Sequence, residues 1–309
     1  MHIPDYMLEG RICPVTATIS TCAIIASVII GMRAKQKPTA GQFSAITALI
    51  FALQMLNFPI MNGTSGHLVG GVLASSLLGI PFGILSLACV ITVQCLVFSD
   101  GGLSVLGVNV LNMAVICAGA GGWLHLKIAK KWTSTLALAL ASWCSVVLAA
   151  FAVSVELAVS GQIAFEKVAF AMVGVHALTG IGEALLTVLT CSIYSSKTCT
   201  KEQNGWIFFP FLSAILIALF LSPFASSFPG GLEWVAEKYQ FLHEAAPAFV
   251  GPLHQYAMAS IDHAVLSTSI AGAIGVCITF IASLLFVKLC SHGKKFLRIY
   301  SNHEKNIAN

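Results

Sequence analysis

The residues best suited to chemistry stand at the very start of the chain. In Met1-His2 the α-amine, the His2 backbone nitrogen once deprotonated, and the His2 imidazole can chelate one metal ion through adjacent five- and six-membered rings. The ordinary pKa of such an amine is about 7.7–8.0, which puts its lone pair within reach near neutral pH. A fourth nitrogen is available from His67, which ends the run Asn62-Gly63-Thr64-Ser65-Gly66-His67. Gly63 and Gly66 let the backbone turn tightly, and Thr64 or Ser65 can cap a helix that starts beside His67. Four nitrogens in one plane favour Ni²⁺ or Cu²⁺ over Zn²⁺, with Co²⁺ also admitted. Taken singly, His2 reads as a solvated end and His67 as a hydrogen-bonding spacer. The metal reading rests on the two sharing one face of a membrane.

Other polar residues lie inside apolar stretches, where ionisable groups are functional candidates by default. Gln54 and Asn57 are three apart, as are Asn109 and Asn112, so each pair is expected on one helix face. These amides read first as hydrogen-bonding ties between helices. His176 and Glu183, seven apart, share a face with Thr179 and Gly180. They read equally as an interhelical pair or as support and release path for a transported ion. Asp100, in Asp100-Gly101-Gly102, reads either as a turn residue or as a carboxylate at the site. A proton-coupled secondary cation transporter using His176 and Glu183 is the competing function.

Several classes of chemistry are excluded by what is missing. The ten cysteines form no CxxC pair, and most fall in apolar stretches where they act as small hydrophobes. No HExxH or phosphate-cradling P-loop sequence is present, so neither a zinc protease nor ATP hydrolysis by this chain is expected. No catalytic residue, organic cofactor or nucleic-acid surface is assigned.

The elements that must position these residues follow from composition. Of 309 residues 57% are hydrophobic and only 9% charged, against roughly a quarter charged in a soluble domain. Mean hydropathy is +0.89. The expected class is an all-α polytopic membrane bundle of about nine helices, since each crossing takes roughly 20 apolar residues. The candidate spans are Ile12–Met32, Phe43–Ile60, His67–Gly79, Pro81–Phe98, Leu103–Leu126, Thr135–Leu157, Val168–Ile193, Trp206–Ser222 and Ala264–Leu289. The third is short enough to be a partial span or one arm of a tilted hairpin. Lys and Arg in short loops mark the cytoplasmic side. With the N-terminus outside and the C-terminus inside, all 16 except Arg11, Lys167 and Lys238 lie on that side. Residues 1–10 carry acids and no basic n-region, so no cleaved signal is expected and Met1 keeps a free, outward-facing amine. His2 and His67 then share the outer face. A Lys/Thr/Ser-rich linker divides the chain into modules 1–200 and 201–309. The second holds two helices around an external segment, about 223–263, with His243, His254 and His263.

At this point four stretches carry a family resemblance. MHIPD at the start, NGTSGHLVGGVLA at 62–74, VFSDGGLSVLGVNVLNM at 97–113 and VHALTGIGEALLT at 175–187 resemble the CbiM/NikM substrate-binding (S) components of energy-coupling-factor transporters for cobalt and nickel. The similarity covers about residues 1–195. PGGLEWVAEKYQF and the last span resemble, more loosely, the small companion subunit CbiN/NikN, here fused. The resemblance implies seven helices plus two, and Ni²⁺ or Co²⁺ as transported substrate. It implies a metal held by the terminal amine, the second-residue amide and imidazole, and the His of the TSGH motif, which fall here on Met1, His2 and His67. It also implies a membrane coupling (T) subunit and cytoplasmic ATPases as partners, in the inner membrane of a prokaryote. Two positions depart from the family pattern: Tyr6 stands where a Gly usually follows MHIPD, and Gly230 replaces the Asp of a Pro-Asp-Gly.

Overall fold

Apolar stretches of about 20 residues satisfy their backbone hydrogen bonds in lipid only as helices or closed barrels, and this chain makes helices. The computed structural model describes residues 1–197, 205–241 and 249–307. The expected module boundary at 200/201 and His243 lie outside them. The long helices are α1 (Ile12–Arg33), α4 (Ile80–Phe98), α5 (Leu106–Ile128), α6 (Ser134–Val159) and α7 (Phe165–Lys197). In the second module α8 (Gly205–Leu216) continues through a wide turn to Phe224, and α10 (Ala264–Ile307) closes the chain. Seven helices among the described residues are long and apolar enough to cross a membrane.

Two of the nine expected spans are shorter than drawn, and their shortness builds the site. The second, α2, covers only Ala40–Gln54. Fifteen residues rise roughly 22 Å at 1.5 Å each, short of a hydrocarbon core of about 30 Å. Beyond its end at Gln54, Pro59 biases Phe58 towards extended backbone. The chain therefore continues as β1 (Asn57–Pro59), a turn, and β2 (Ser65–His67), paired antiparallel with Asn57 opposite His67. Gln54 and Asn57 consequently share no helix face. The third helix, α3, begins at Gly71 rather than His67 and ends at Leu78, because residues 65–67 are already committed to the hairpin. Gly70, at φ +76°, makes the entry turn, and no side chain caps the helix. Thr64 and Ser65 do not cap it: the Thr64 hydroxyl donates to the Met61 carbonyl and that of Ser65 to the Phe228 carbonyl.

Every residue of α2 from Phe43 to Gln54 is buried, as befits a helix that is apolar all round. It packs against α4 and against α8 and α10. Helices α6 and α7 pack along their lengths, and α7 also meets β2. The bundle thus presents the β1–β2 hairpin from the end of its buried helix α2.

Candidate metal site and the cavity above it

Residues 1–8 are threaded into the bundle. Ile3, Met7 and Leu8 are fully buried and Met1 is 7% exposed. Asn109 holds this segment at Ile3, accepting from its N–H at 2.8 Å and donating to its carbonyl at 3.1 Å. The Gly102 N–H donates to the same carbonyl at 2.9 Å, and Asp5 accepts from the backbone and hydroxyl of Ser104, each at 2.8 Å. Gly102 is required here, since a Cβ would strike the Asp5 backbone.

The anchored segment delivers the Met1 amine to His67. Its nitrogen lies 2.6 Å from His67 Nε2. On the other side of that ring, Nδ1 lies 3.0 Å from the Leu68 carbonyl. A carbonyl only accepts, so Nδ1 carries the proton and Nε2 keeps its lone pair for the amine. Burial lowers the pKa of the amine, and burial together with the amine's charge pushes that of His67 well below the usual histidine value. Both effects favour neutral nitrogens with lone pairs free. The hairpin is fixed from below by Glu183, whose two carboxylate oxygens accept from Val69 N–H at 2.6 Å and Gly70 N–H at 2.9 Å.

His2 stacks on His67 with ring centroids 5.4 Å apart. Its Nε2 donates to Gln94 Oε1 at 3.0 Å, and its Nδ1 faces Asp100 Oδ1 at 3.2 Å. The second Asp100 oxygen accepts from the Tyr256 hydroxyl at 2.7 Å. Burial lowers the His2 pKa while Asp100 opposes that shift; burial, aided by the Asp100 charge, pushes the Tyr256 hydroxyl well above its ordinary value.

The expected residues therefore divide. Met1, His2, His67 and Asp100 meet, and Asn57 and Ser65 join them as lining of one cavity of about 420 Å³. Asn109 and Glu183 stand one bond behind, holding main chain. Asn112 turns away to donate to Glu156 on α6 at 2.7 Å. His176 is spent on the Met172 carbonyl of its own helix at 2.8 Å, its ring against Gly231, so it makes no bond to Glu183. Gln94 and Tyr256 were not expected. A weak signal for Gln94 is available only in the structure: it opens the wide π-helical turn Gln94–Phe98 that ends α4, a distortion frequent at functional sites. Among the described residues no group of three His, Cys, Asp or Glu is disposed as a metal cluster, so a donor set here depends on main-chain nitrogen.

Residues 226–233 and 251–256 roof the cavity. The Pro229 carbonyl accepts from Ser65 N–H, and the Asn57 carbonyl from Ser226 N–H, each at 2.8 Å. Gly251 N–H donates to Ser99 Oγ at 2.7 Å, and Tyr256 stacks on Phe98 at 4.4 Å. The helix α9 (Gly231–Lys238) begins at the rim, its Glu233 accepting from Gly230 N–H at 2.9 Å.

Comparison with known proteins gives this arrangement a context. Residues 2–198 match the family described as the cobalt uptake substrate-specific transmembrane region, and residues 204–292 match the PDGLE domain. A relative from Archaeoglobus fulgidus, named as a fused nickel transport protein, NikMN, is 33% identical over 90% of this chain and 95% of its own. The cobalt transport protein CbiM of Acetoanaerobium sticklandii is 26% identical over 67% of this chain and 88% of its own. A crystal structure of a truncated transition metal transporter superposes with a TM-score of 0.58 at 26% identity, covering 64% of this chain and 99% of that one. The chain belongs to the cobalt uptake substrate-specific transmembrane family, with a PDGLE domain following in the same chain, and is a multi-pass membrane protein of metal uptake rather than an enzyme.

Proposed function

We propose that the chain is the substrate-capture subunit of an ATP-driven, energy-coupling-factor importer of Ni²⁺ or Co²⁺. The ion is held by the Met1 amine, the His2 amide nitrogen, His2 Nδ1 and His67 Nε2. The observation that carries this reading is the 2.6 Å approach of the terminal amine to a His67 ring whose other nitrogen is tied to Leu68. Two nitrogens about 2 Å from one metal and at right angles to each other stand about 2.8 Å apart, close to the separation seen. A hydrogen bond on the far ring nitrogen fixes the tautomer and orientation of a histidine ligand. Asn109 and Glu183 support the set from behind, and Asp100 and Tyr256 from above.

Residues 1–200 form the capture module in this reading and 201–309 the companion, with the N-terminus outside and the C-terminus in the cytoplasm. Energy comes from a membrane coupling subunit and cytoplasmic ATPases, since this chain carries no P-loop sequence. The family names both cobalt and nickel transport proteins among the relatives, and four nitrogens suit both ions. Nothing in the contacts favours a proton path through His176 and Glu183, each of which is engaged elsewhere.

An N-terminal extension is the direct test. Adding residues before Met1 turns the amine into an amide and should abolish stoichiometric Ni²⁺ binding in calorimetry while leaving the helical signal intact. Binding of unchanged affinity in the extended protein would overturn the assignment.

A further inference from the structure

The cavity above the nitrogen set is too large and too rich in oxygen to be only the space around a four-coordinate ion. Its volume is about 420 Å³. A hexahydrated cation occupies roughly 200 Å³, counting about 30 Å³ for each water. The lining includes the carboxylates Asp100 and Glu233, the amide of Gln54 and several serines, and among the described residues it includes no Lys or Arg. Glu233 is exposed, Asp100 is 30% exposed, and of the nitrogen-bearing residues Met1 is buried while His2 and His67 are half-buried. The negative charges of both carboxylates act on the Met1 amine and on His2, so the potential in the cavity favours a cation.

An independent observation points to a ligand. Gln54 is 5% exposed and lines the cavity, its amide nitrogen donates to the Val69 carbonyl at 2.6 Å, and its Oε1 has no hydrogen-bond partner. A buried amide oxygen left unpaired is costly and is rare enough to ask for an explanation. Glu233 uses one carboxylate oxygen on Gly230, which leaves the other for a guest.

We propose that this cavity is a second, receiving site for a hydrated divalent cation, held through oxygens of Glu233, Asp100 and Gln54 before the ion sheds water and passes to the nitrogen set. The proposal rests on the capture reading above. Oxygen donors suit a hydrated ion of almost any divalent metal, whereas the nitrogen set selects among them. The receiving site thus raises the local cation concentration and the nitrogens choose.

The test uses full-length protein in lipid nanodiscs, with Mn²⁺ alone as the oxygen-site probe, read by loss of its aqueous electron paramagnetic signal. His67→Ala should lose tight Ni²⁺ binding yet keep weak, 1:1 Mn²⁺ binding. Adding Glu233→Gln should weaken that Mn²⁺ binding about tenfold; the glutamine oxygen can still accept from Gly230, so α9 keeps its start. In the otherwise unaltered protein, Glu233→Gln should slow Ni²⁺ association about threefold or more and flatten its salt dependence, as expected when a steering charge is removed. Mn²⁺ binding absent from His67→Ala, or Mn²⁺ binding and Ni²⁺ association both indifferent to Glu233→Gln, would overturn the receiving site. Tight Ni²⁺ binding that survives His67→Ala would instead overturn the nitrogen assignment, so the two failures are distinguishable.

Discussion

At the scale of residues, the nitrogen set is held in place by groups outside it. Glu183 is the clearest case, because its carboxylate accepts both N–H groups at the foot of the loop that carries His67. Glu183→Ala would strand two buried donors, at about 1–3 kcal/mol each. We expect a lower unfolding temperature and a loss of Ni²⁺ affinity of about 10–100-fold, the usual cost of removing support behind a ligand. Glu183→Gln keeps one acceptor and should fall between the alanine variant and the parent. Thermal unfolding and calorimetry on the three proteins check the order, and equal affinities would remove Glu183 from the site. That Met1, His2 and His67 would come together was legible because an N-terminal Met-His pair and a histidine beside two glycines were expected on one face. Glu183 was legible only as an ionisable group inside a span, since its partners are main-chain donors more than a hundred residues away. Gln94 and Tyr256 were not legible at all. A glutamine in an apolar run and a tyrosine in a long loop signal nothing until the fold sets them against His2 and Asp100.

At the scale of elements, what matters is where regular structure stops. Composition shows apolar stretches but not their interruptions, so the run from Phe43 to Ile60 read as one helix. Its break after Gln54 into a hairpin is what lifts His67 to the Met1 amine. The mistaken cap has the same origin: Thr64 and Ser65 have capping chemistry, but the strand pairing of residues 65–67 moves the helix start to Gly71. The N-terminal segment depends equally on backbone space. Gly102→Ala would drive a methyl into the Asp5 backbone while leaving the long helices untouched. We expect it to displace residues 1–5 and weaken Ni²⁺ binding by at least about tenfold, with a lowered unfolding temperature because buried Ile3 loses its packing, and an unchanged helical signal. Calorimetry paired with a thermal scan and the helical signal separates this from loss of the fold. A large loss of stability with affinity retained would show that Gly102 serves the bundle and not the segment.

At the scale of the whole molecule, the decisive question is which way the cavity opens. The N-terminal segment, the β1–β2 hairpin, the loop after α4 and the external segment all meet at one end of the bundle. The loops at the opposite ends of the spans carry most of the basic residues, among them Lys127, Lys130 and Lys131 after α5. Cytoplasmic loops retain such residues during insertion, so the capture reading proposed above expects the cavity on the outer side. The prediction is made with single cysteines in a cysteine-free version of the full chain. A cysteine at Ala164, exposed between α6 and α7 on the cavity side, should react with an impermeant thiol reagent in intact cells. One at Lys131, exposed in the loop after α5, should react only after the membrane is opened. The reverse pattern would place the nitrogen set on the cytoplasmic side and would favour export or sensing over capture. Charge supplies the expected orientation of the spans, and the fold brings Met1, His2 and His67, the carboxylates Asp100 and Glu233 and the residues that roof them to the end opposite Lys127, Lys130 and Lys131.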